Sequence, residues 1–211
     1  MYRELLLGCG YRRERLVDPY TWSDNFASGA PVTTSEERWK NVVTVDRNPD
    51  CSPDYVMELA GIDWKLRANF LLQPRDEVLF DPHPHRRFRD RIFDEVHAYE
   101  VLEHLGHQGD ERSFFAHFEM IWRMLKPGGF LCGTVPSRYS PWLWGDPGHR
   151  RAILPVSLIF LRQAHYTEWV GRGPSSDYRS IYGGNFHIVH SGDNEETHTF
   201  VLQALPAENH S

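Results

Sequence analysis

Leu5-Leu6-Leu7-Gly8-Cys9-Gly10 is an apolar run that ends in Gly-x-Gly, which reads as a buried parallel strand turning sharply toward a helix. A second run, Val42-Val43-Thr44-Val45-Asp46, ends in an acid and reads as the neighbouring strand. Side by side, they set a turn that a ligand can approach closely beside a carboxylate able to accept two ribose hydroxyls. These runs alone imply a nucleoside-bearing ligand on an α/β sheet. They do not make a dinucleotide fingerprint, because the third glycine position is Arg13. Asp46 also follows Gly10 by 36 residues, where a dinucleotide fold has its acid at about 20.

Outward from these runs, the pattern predicts strands at about 4–8, 42–46, 54–58, 92–98 and 130–135. Short helices are expected at 35–39, with Ser35 as N-cap, and at 62–71, inside two irregular stretches at about 11–41 and 61–91. A helix is expected to begin near Glu100. Phe114, Phe115, Phe118, Ile121, Trp122 and Leu125 recur at three- and four-residue spacing, which predicts a core-facing helix over 111–125. Lys126-Pro127-Gly128-Gly129 ends it. A further helix is expected at 155–163, then strands at 186–190 and 199–204 joined by the turn Ser191-Gly192-Asp193-Asn194. No internal repeat is present, and a single domain of 1–211 is expected.

The chain has 211 residues, 40% of them hydrophobic and 25% charged, as in an ordinary globular protein. No apolar run reaches membrane-spanning length, and Met1-Tyr2-Arg3-Glu4 has no signal-peptide layout, so a cytoplasmic protein with no membrane partner is expected. Cys9, Cys51 and Cys132 lack metal-type spacing and read as reduced core thiols. A net charge of −6 argues against a broad nucleic-acid surface. The basic run His83-Pro84-His85-Arg86-Arg87-Phe88-Arg89-Asp90-Arg91 is the local exception, either a solvated surface insertion or an anionic contact.

Two further segments, Phe93-Asp94-Glu95-Val96-His97-Ala98-Tyr99-Glu100-Val101-Leu102-Glu103-His104-Leu105 and Met124-Leu125-Lys126-Pro127-Gly128-Gly129-Phe130-Leu131, complete an ordered set of four. Together the four resemble the class I S-adenosylmethionine-dependent methyltransferases, in particular the small type 11-like group. The resemblance covers roughly residues 3 to 162. It implies an α/β fold with a single doubly wound Rossmann-like methyltransferase sheet, mostly parallel with an antiparallel C-terminal hairpin strand. It also implies an enzyme that uses S-adenosylmethionine as methyl donor.

The resemblance places the cofactor against Gly8, Cys9 and Gly10, with Asp46 and Arg47 at the ribose, Glu58 and Leu59 at the adenine, and Tyr99 at the end of strand four. On the acceptor side it points to Glu100, His104 and His149 as catalytic candidates. His149 lies in Trp144-Gly145-Asp146-Pro147-Gly148-His149-Arg150-Arg151, similar to an Asp-Pro-x-His-x-Arg loop of the family. Arg151 is a candidate clamp for an anionic acceptor. Tyr139, Trp142 and Trp144 either stack on a planar or sugar acceptor or simply pack.

On a helix, Glu100, Glu103 and His104 would share one face. Their pattern resembles the metal motif of certain magnesium- or manganese-dependent O-methyltransferases, which implies Glu100, Glu103 and His104 as metal ligands. The same letters also occur in relatives without a metal. No Asp/Asn-Pro-Pro-aromatic motif and no cysteine follow strand four, which argues against exocyclic-amine methylation of nucleic acid and against cytosine C5 chemistry. A hydroxyl or amine of a small-molecule or glycan-like acceptor is expected. Two alternatives stand beside it: a catalytically silent cofactor- or partner-binding module, motivated by Leu6 and Arg12 where the family has an acid and a glycine, and a polynucleotide methyltransferase.

Overall fold

The computed structural model describes residues 1–11, 13–20, 39–60, 79–80 and 87–207. The expected helix at 62–71, all of the expected helix at 35–39 except Trp39, and His83 to Arg86 lie outside the described residues.

Among the described residues seven strands form one sheet in the order β3-β2-β1-β4-β5-β7-β6. They are β1 (Glu4–Leu7), β2 (Val42–Asp46), β3 (Tyr55–Val56), β4 (Phe93–Tyr99), β5 (Leu125–Pro136), β6 (Phe186–Asp193) and β7 (Thr197–Ala204). β1 pairs in parallel with both β2 and β4, Leu7 lying opposite Val45 on one side and Ala98 on the other. β7 pairs antiparallel to β5 and β6. The strand order reverses between β1 and β4, so a crevice opens at the carboxyl ends of these two strands, where ligands of doubly wound sheets bind.

The helices are α1 (Glu111–Met124), α2 (Trp142–Gly145), α3 (Pro155–Leu158) and α4 (Gln163–Trp169). Asp110 caps α1 by accepting the Ser113 N–H at 3.1 Å, and Phe115, Phe118 and Ile121 are buried along one stripe. The Lys-Pro-Gly-Gly break turns α1 straight into β5, which therefore starts at Leu125 rather than 130.

Three other expectations are corrected. No α-helix starts at Glu100: its φ of 53° is left-handed, and Leu102–His104 makes only one 3-10 turn. The expected helix at 155–163 splits into α3, a 3-10 turn at Ile159–Leu161, and α4. Ser191, Gly192 and Asp193 belong to β6, and the hairpin instead reverses where the Asn194 side chain accepts the N–H groups of Glu196 and Thr197.

Strand alternation gives the sheet two unlike faces. Leu5, Leu7, Val45, Val96, Ala98, Leu131, Val135, Phe200 and Leu202 point into the main apolar core, together with buried residues of α1, α3 and α4. The alternate positions of β1 and β4 carry Glu4, Leu6, Glu95 and His97, against which Arg15, Leu16 and Val17 pack in a far smaller apolar cluster with Cys132 and Val201. All three cysteines are buried and free. Among the described residues no helix is long and apolar enough to cross a membrane.

Candidate functional site

Two groups of predicted residues meet at the carboxyl edge of the sheet. The first is the turn after β1. Gly8 and Gly10 have φ of 61° and 50°, and a Cβ on Gly8 would stand 2.5 Å from a Val101 methyl. At Gly10 the corresponding space is open. The Gly10 N–H donates to Asp46 Oδ2 at 2.8 Å, and the Asn48 N–H donates to Asp46 Oδ1 at 2.8 Å. Asp46 thus ties the β1 turn to the end of β2. Each of its oxygens keeps a lone pair for a further donor.

Cys9 is buried, and burial, with Asp46 beside it, pushes its thiol up to about 11, so it is no thiolate nucleophile. Arg47 is exposed next to Asp46. Glu58 is exposed and accepts its own loop's Ala60 N–H, whereas Leu59 is buried in the main core. Tyr99 turns its hydroxyl to the second face of the sheet. There it lies 2.6 Å from His97 Nδ1 and accepts the N–H groups of Leu16 and Val17. That hydroxyl is spent, which leaves only the ring and backbone of Tyr99 for a ligand.

The second group surrounds Glu103. Its side chain is 1% exposed, and among the described residues only its own amide hydrogen-bonds to the carboxylate. His104 Nε2 stands 4.0 Å and His149 Nε2 3.8 Å from Glu103 Oε1, and the two rings meet edge-on at 4.7 Å. His149 Nδ1 is also buried without a hydrogen bond. Burial pushes the Glu103 carboxyl up to about 8, with Glu100 and Asp146 adding to it. Glu100 is pushed up by desolvation, opposed by a hydrogen bond with Thr134 and by His149. The residue itself is exposed to solvent, which discounts that push.

One potential ligand atom each from Glu103, His104 and His149 falls within 4.8 Å of the others. Glu100 does not join that group, so the structure does not bring the expected trio Glu100, Glu103 and His104 together. With no α-helix at 100–104, the spacing that put those three on one face does not apply.

What brings His149 there is a clamp between loops. The Glu103 carbonyl accepts the N–H groups of Arg150 and Arg151 at 2.8 and 3.2 Å. The Arg151 guanidinium turns inward and donates to the carbonyls of Leu105, His107 and Asp110 and to Ser113 Oγ. Arg151 is buried and its Nε and Nη2 donors go to these four acceptors, which leaves at most Nη1 for the anion clamp expected of it. Tyr139, Trp142 and Trp144 are exposed on the segment after β5.

No family model matches the sequence, and no curated protein matches it. Among solved structures, the chain is similar to an S-adenosylmethionine-dependent methyltransferase of Archaeoglobus fulgidus. Identity is 14% and the TM-score 0.46, over 96% of this chain and 86% of that one. It is also similar to the N-methyltransferase NodS of Bradyrhizobium japonicum in complex with S-adenosyl-L-homocysteine, at 14% identity and a TM-score of 0.43, over 96% and 78%. An S-adenosylmethionine-dependent methyltransferase of Clostridium acetobutylicum gives 11% identity and a TM-score of 0.48, over 98% and 85%. The strand order β3-β2-β1-β4-β5-β7-β6, reversing between β1 and β4, is that of a doubly wound α/β sheet. The sheet is Rossmann-like, mostly parallel with an antiparallel C-terminal hairpin.

On this sheet the described part of the basic run, from Arg87 to Arg91, sits at the opposite end from the crevice. Arg87, Arg89 and Arg91 precede the amino end of β4, whose seven residues span about 20 Å to the carboxyl edge. Arg89 is further occupied by the Phe80 carbonyl. Asp146 is the site residue that sequence reading left without a role. Its Oδ2 lies 3.8 Å from His149 Nε2 while its Oδ1 accepts the Gly148 N–H. The Asp-Pro-x-His spacing carried that signal.

Proposed function

We propose that the chain is an S-adenosylmethionine-dependent methyltransferase that methylates a hydroxyl or amine of a small-molecule or glycan-like acceptor. The observation that carries this reading is the Gly10–Asp46 hydrogen bond. It holds an open glycine turn and an acceptor-only carboxylate together in the crevice between β1 and β4. A nucleoside with an amino-acid tail needs both: backbone that it can approach closely, and an acceptor for its ribose hydroxyls. The residues present therefore fit the cofactor, with Gly8, Cys9 and Gly10 along the tail and ribose, Asp46 and Arg47 at the ribose, and Glu58 at the adenine.

When bound, S-adenosylmethionine supplies a sulfonium methyl open to in-line displacement. The chain's own work is to align the acceptor, exclude water and take a proton. His149, buried with a free Nδ1 and with Glu103 at its other nitrogen, is the general base; His104 and Glu100 flank the acceptor. Calorimetry with S-adenosylmethionine and S-adenosylhomocysteine tests the binding half, and absence of binding by both ligands refutes it. Product formation across mixed acceptors separates the enzyme from a silent module of the same fold.

A further inference from the structure

A buried guanidinium is at its most stable with a carboxylate at contact, because neutral acceptors satisfy its donors without cancelling its charge. Arg151 is 5% exposed, and Nε and Nη2 donate only to three carbonyls and the Ser113 hydroxyl. Burial works against its charge, and Asp110 is the one carboxylate that favours it. Asp110 is not at contact, and its Oδ1 is taken by the Ser113 N–H as the cap of α1. The Phe114 ring, 5.3 Å from the guanidinium carbon, supplies part of the compensation. Nη1 makes none of these hydrogen bonds and is not among the atoms sealed from solvent.

The same guanidinium lines a cavity of about 330 Å³ between the first turn of α1 and α3. Half-buried Phe114, Phe160 and Tyr178 line it too, the last two meeting edge-on at 5.7 Å. So do Asp110 and the exposed Glu111. The wall thus offers one cation, two carboxylates and three rings. A simple anion would meet like charge at Asp110 and Glu111, and a simple cation would meet it at Arg151. A molecule that carries both charges on one end and a flat apolar group on the other meets neither conflict.

We propose that this cavity binds a free zwitterionic amino acid with an aromatic side chain. Its carboxylate accepts from Arg151 Nη1, its ammonium faces Asp110 and Glu111, and its ring lies against Phe114, Phe160 and Tyr178. The cavity shares no residue with the turn after β1, with Asp46 or with the Glu103 group, so the proposal does not rest on methyl transfer.

Calorimetry of the full chain with L-phenylalanine as the probe is the test, and saturable binding of one molecule per chain is expected. Phenethylamine, which lacks the carboxylate, and 3-phenylpropionate, which lacks the ammonium, are each expected to bind at least about tenfold more weakly, since each loses a charge-assisted contact. These two arms probe Arg151 without altering it, whereas Arg151→Ala would also release the loops that it ties. Position is read from Val156→Cys: Val156 lines the cavity and is 59% exposed, while all three native cysteines are buried. L-phenylalanine is expected to slow the labelling of this thiol by a thiol reagent, and to leave Glu195→Cys, in the β6–β7 turn, unaffected. Lack of saturable binding, equal affinity for the three compounds, or unslowed labelling of Val156→Cys overturns the proposal. Displacement of L-phenylalanine by S-adenosylhomocysteine also overturns it, because the amino-acid tail of that nucleoside carries the same two charges and competition would put the probe in the crevice.

Discussion

Glu95 and Glu103 are both fully buried glutamates with histidines beside them, on either side of the end of β4, and their surroundings are opposite. Glu95 takes Arg15 at 2.6 Å, His97 Nε2 at 2.7 Å and a hydrogen bond from the Tyr2 hydroxyl. His97 passes the chain on: its Nδ1 meets the Tyr99 hydroxyl, which takes two backbone N–H groups. Desolvation would raise the Glu95 carboxyl, but His97, Tyr2 and Arg15 outweigh it and hold it below its usual range. Glu103 has no such company and is pushed the other way. The same letters thus make a closed structural network under the sheet and an unfilled group at its edge. Glu95, His97 and Cys132 also have potential metal-ligating atoms within 4.8 Å of one another, but there every Glu95 contact is already made by protein. Satisfaction, not composition, separates the two.

The largest expected effect breaks the closed network. Glu95→Ala removes the carboxylate that meets Arg15 at 2.6 Å and His97 at 2.7 Å and is expected to cost about 3–5 kcal/mol, measured by urea unfolding. Glu103→Gln is expected to be neutral or stabilising, because it removes a buried carboxyl with no neighbour to pair with, one that folding forces to take up a proton. Equal losses at both positions would erase the distinction.

Asp46 is intermediate, with both oxygens bonded yet each holding a spare lone pair. Asp46→Asn is expected to weaken S-adenosylhomocysteine binding about ten- to a hundredfold by calorimetry, since one charge-assisted hydrogen bond contributes about 1.5–3 kcal/mol. A circular dichroism spectrum like the parent's is expected with it.

The two glutamates also predict opposite pH slopes. Glu95 is lowered, and His97 is lowered by burial against the opposing pull of Glu95, so the native state binds fewer protons at both. Their stabilisation is complete above about pH 6.5, where an unfolded histidine is neutral, and is lost on acidification through that value and then below the ordinary carboxylate range. Glu103, raised from 4.5 to about 8, binds an extra proton when folded, so its contribution falls as pH rises across that window. Melting midpoints from pH 5 to 9 are expected to decline less at high pH in Glu103→Gln than in the parent. An unchanged profile would mean that the carboxyl is not held protonated.

The smallest effect lies at the remote basic run. Arg87→Ala is expected to change stability by less than about 0.5 kcal/mol and to leave cofactor affinity alone. A salt-dependent shift with RNA that this variant abolishes would instead restore the polynucleotide alternative.

Much of the fold was legible because its signals are local. Apolar runs mark β1, β2, β4 and β5, the Phe115/Phe118/Ile121 stripe marks α1, and Gly10 and Asp46 stand out because each closes an apolar run. The 3-10 turn at Leu102–His104 was not legible, because the left-handed φ at Glu100 that precludes a helix comes from the Glu100 N–H bonding to Thr134 on β5, a neighbour distant in sequence. The alternation Glu95-x-His97-x-Tyr99 was readable as one face of a strand and would have flagged the polar network.

Sequence alone determined which chemistries each side chain can offer and where the chain must turn, since periodicity, breakers and donor types are properties of neighbouring residues. Tertiary structure decided which of those capacities remain unused. Arg151, read as an anion clamp, gives its Nε and Nη2 donors to three carbonyls and a serine, while His149, far along the chain, is carried to within 3.8 Å of Glu103 by the same loop. The physical reason is that a polar group's free energy is set by what surrounds it after burial, and those surroundings are assembled from strands and loops that no local pattern connects.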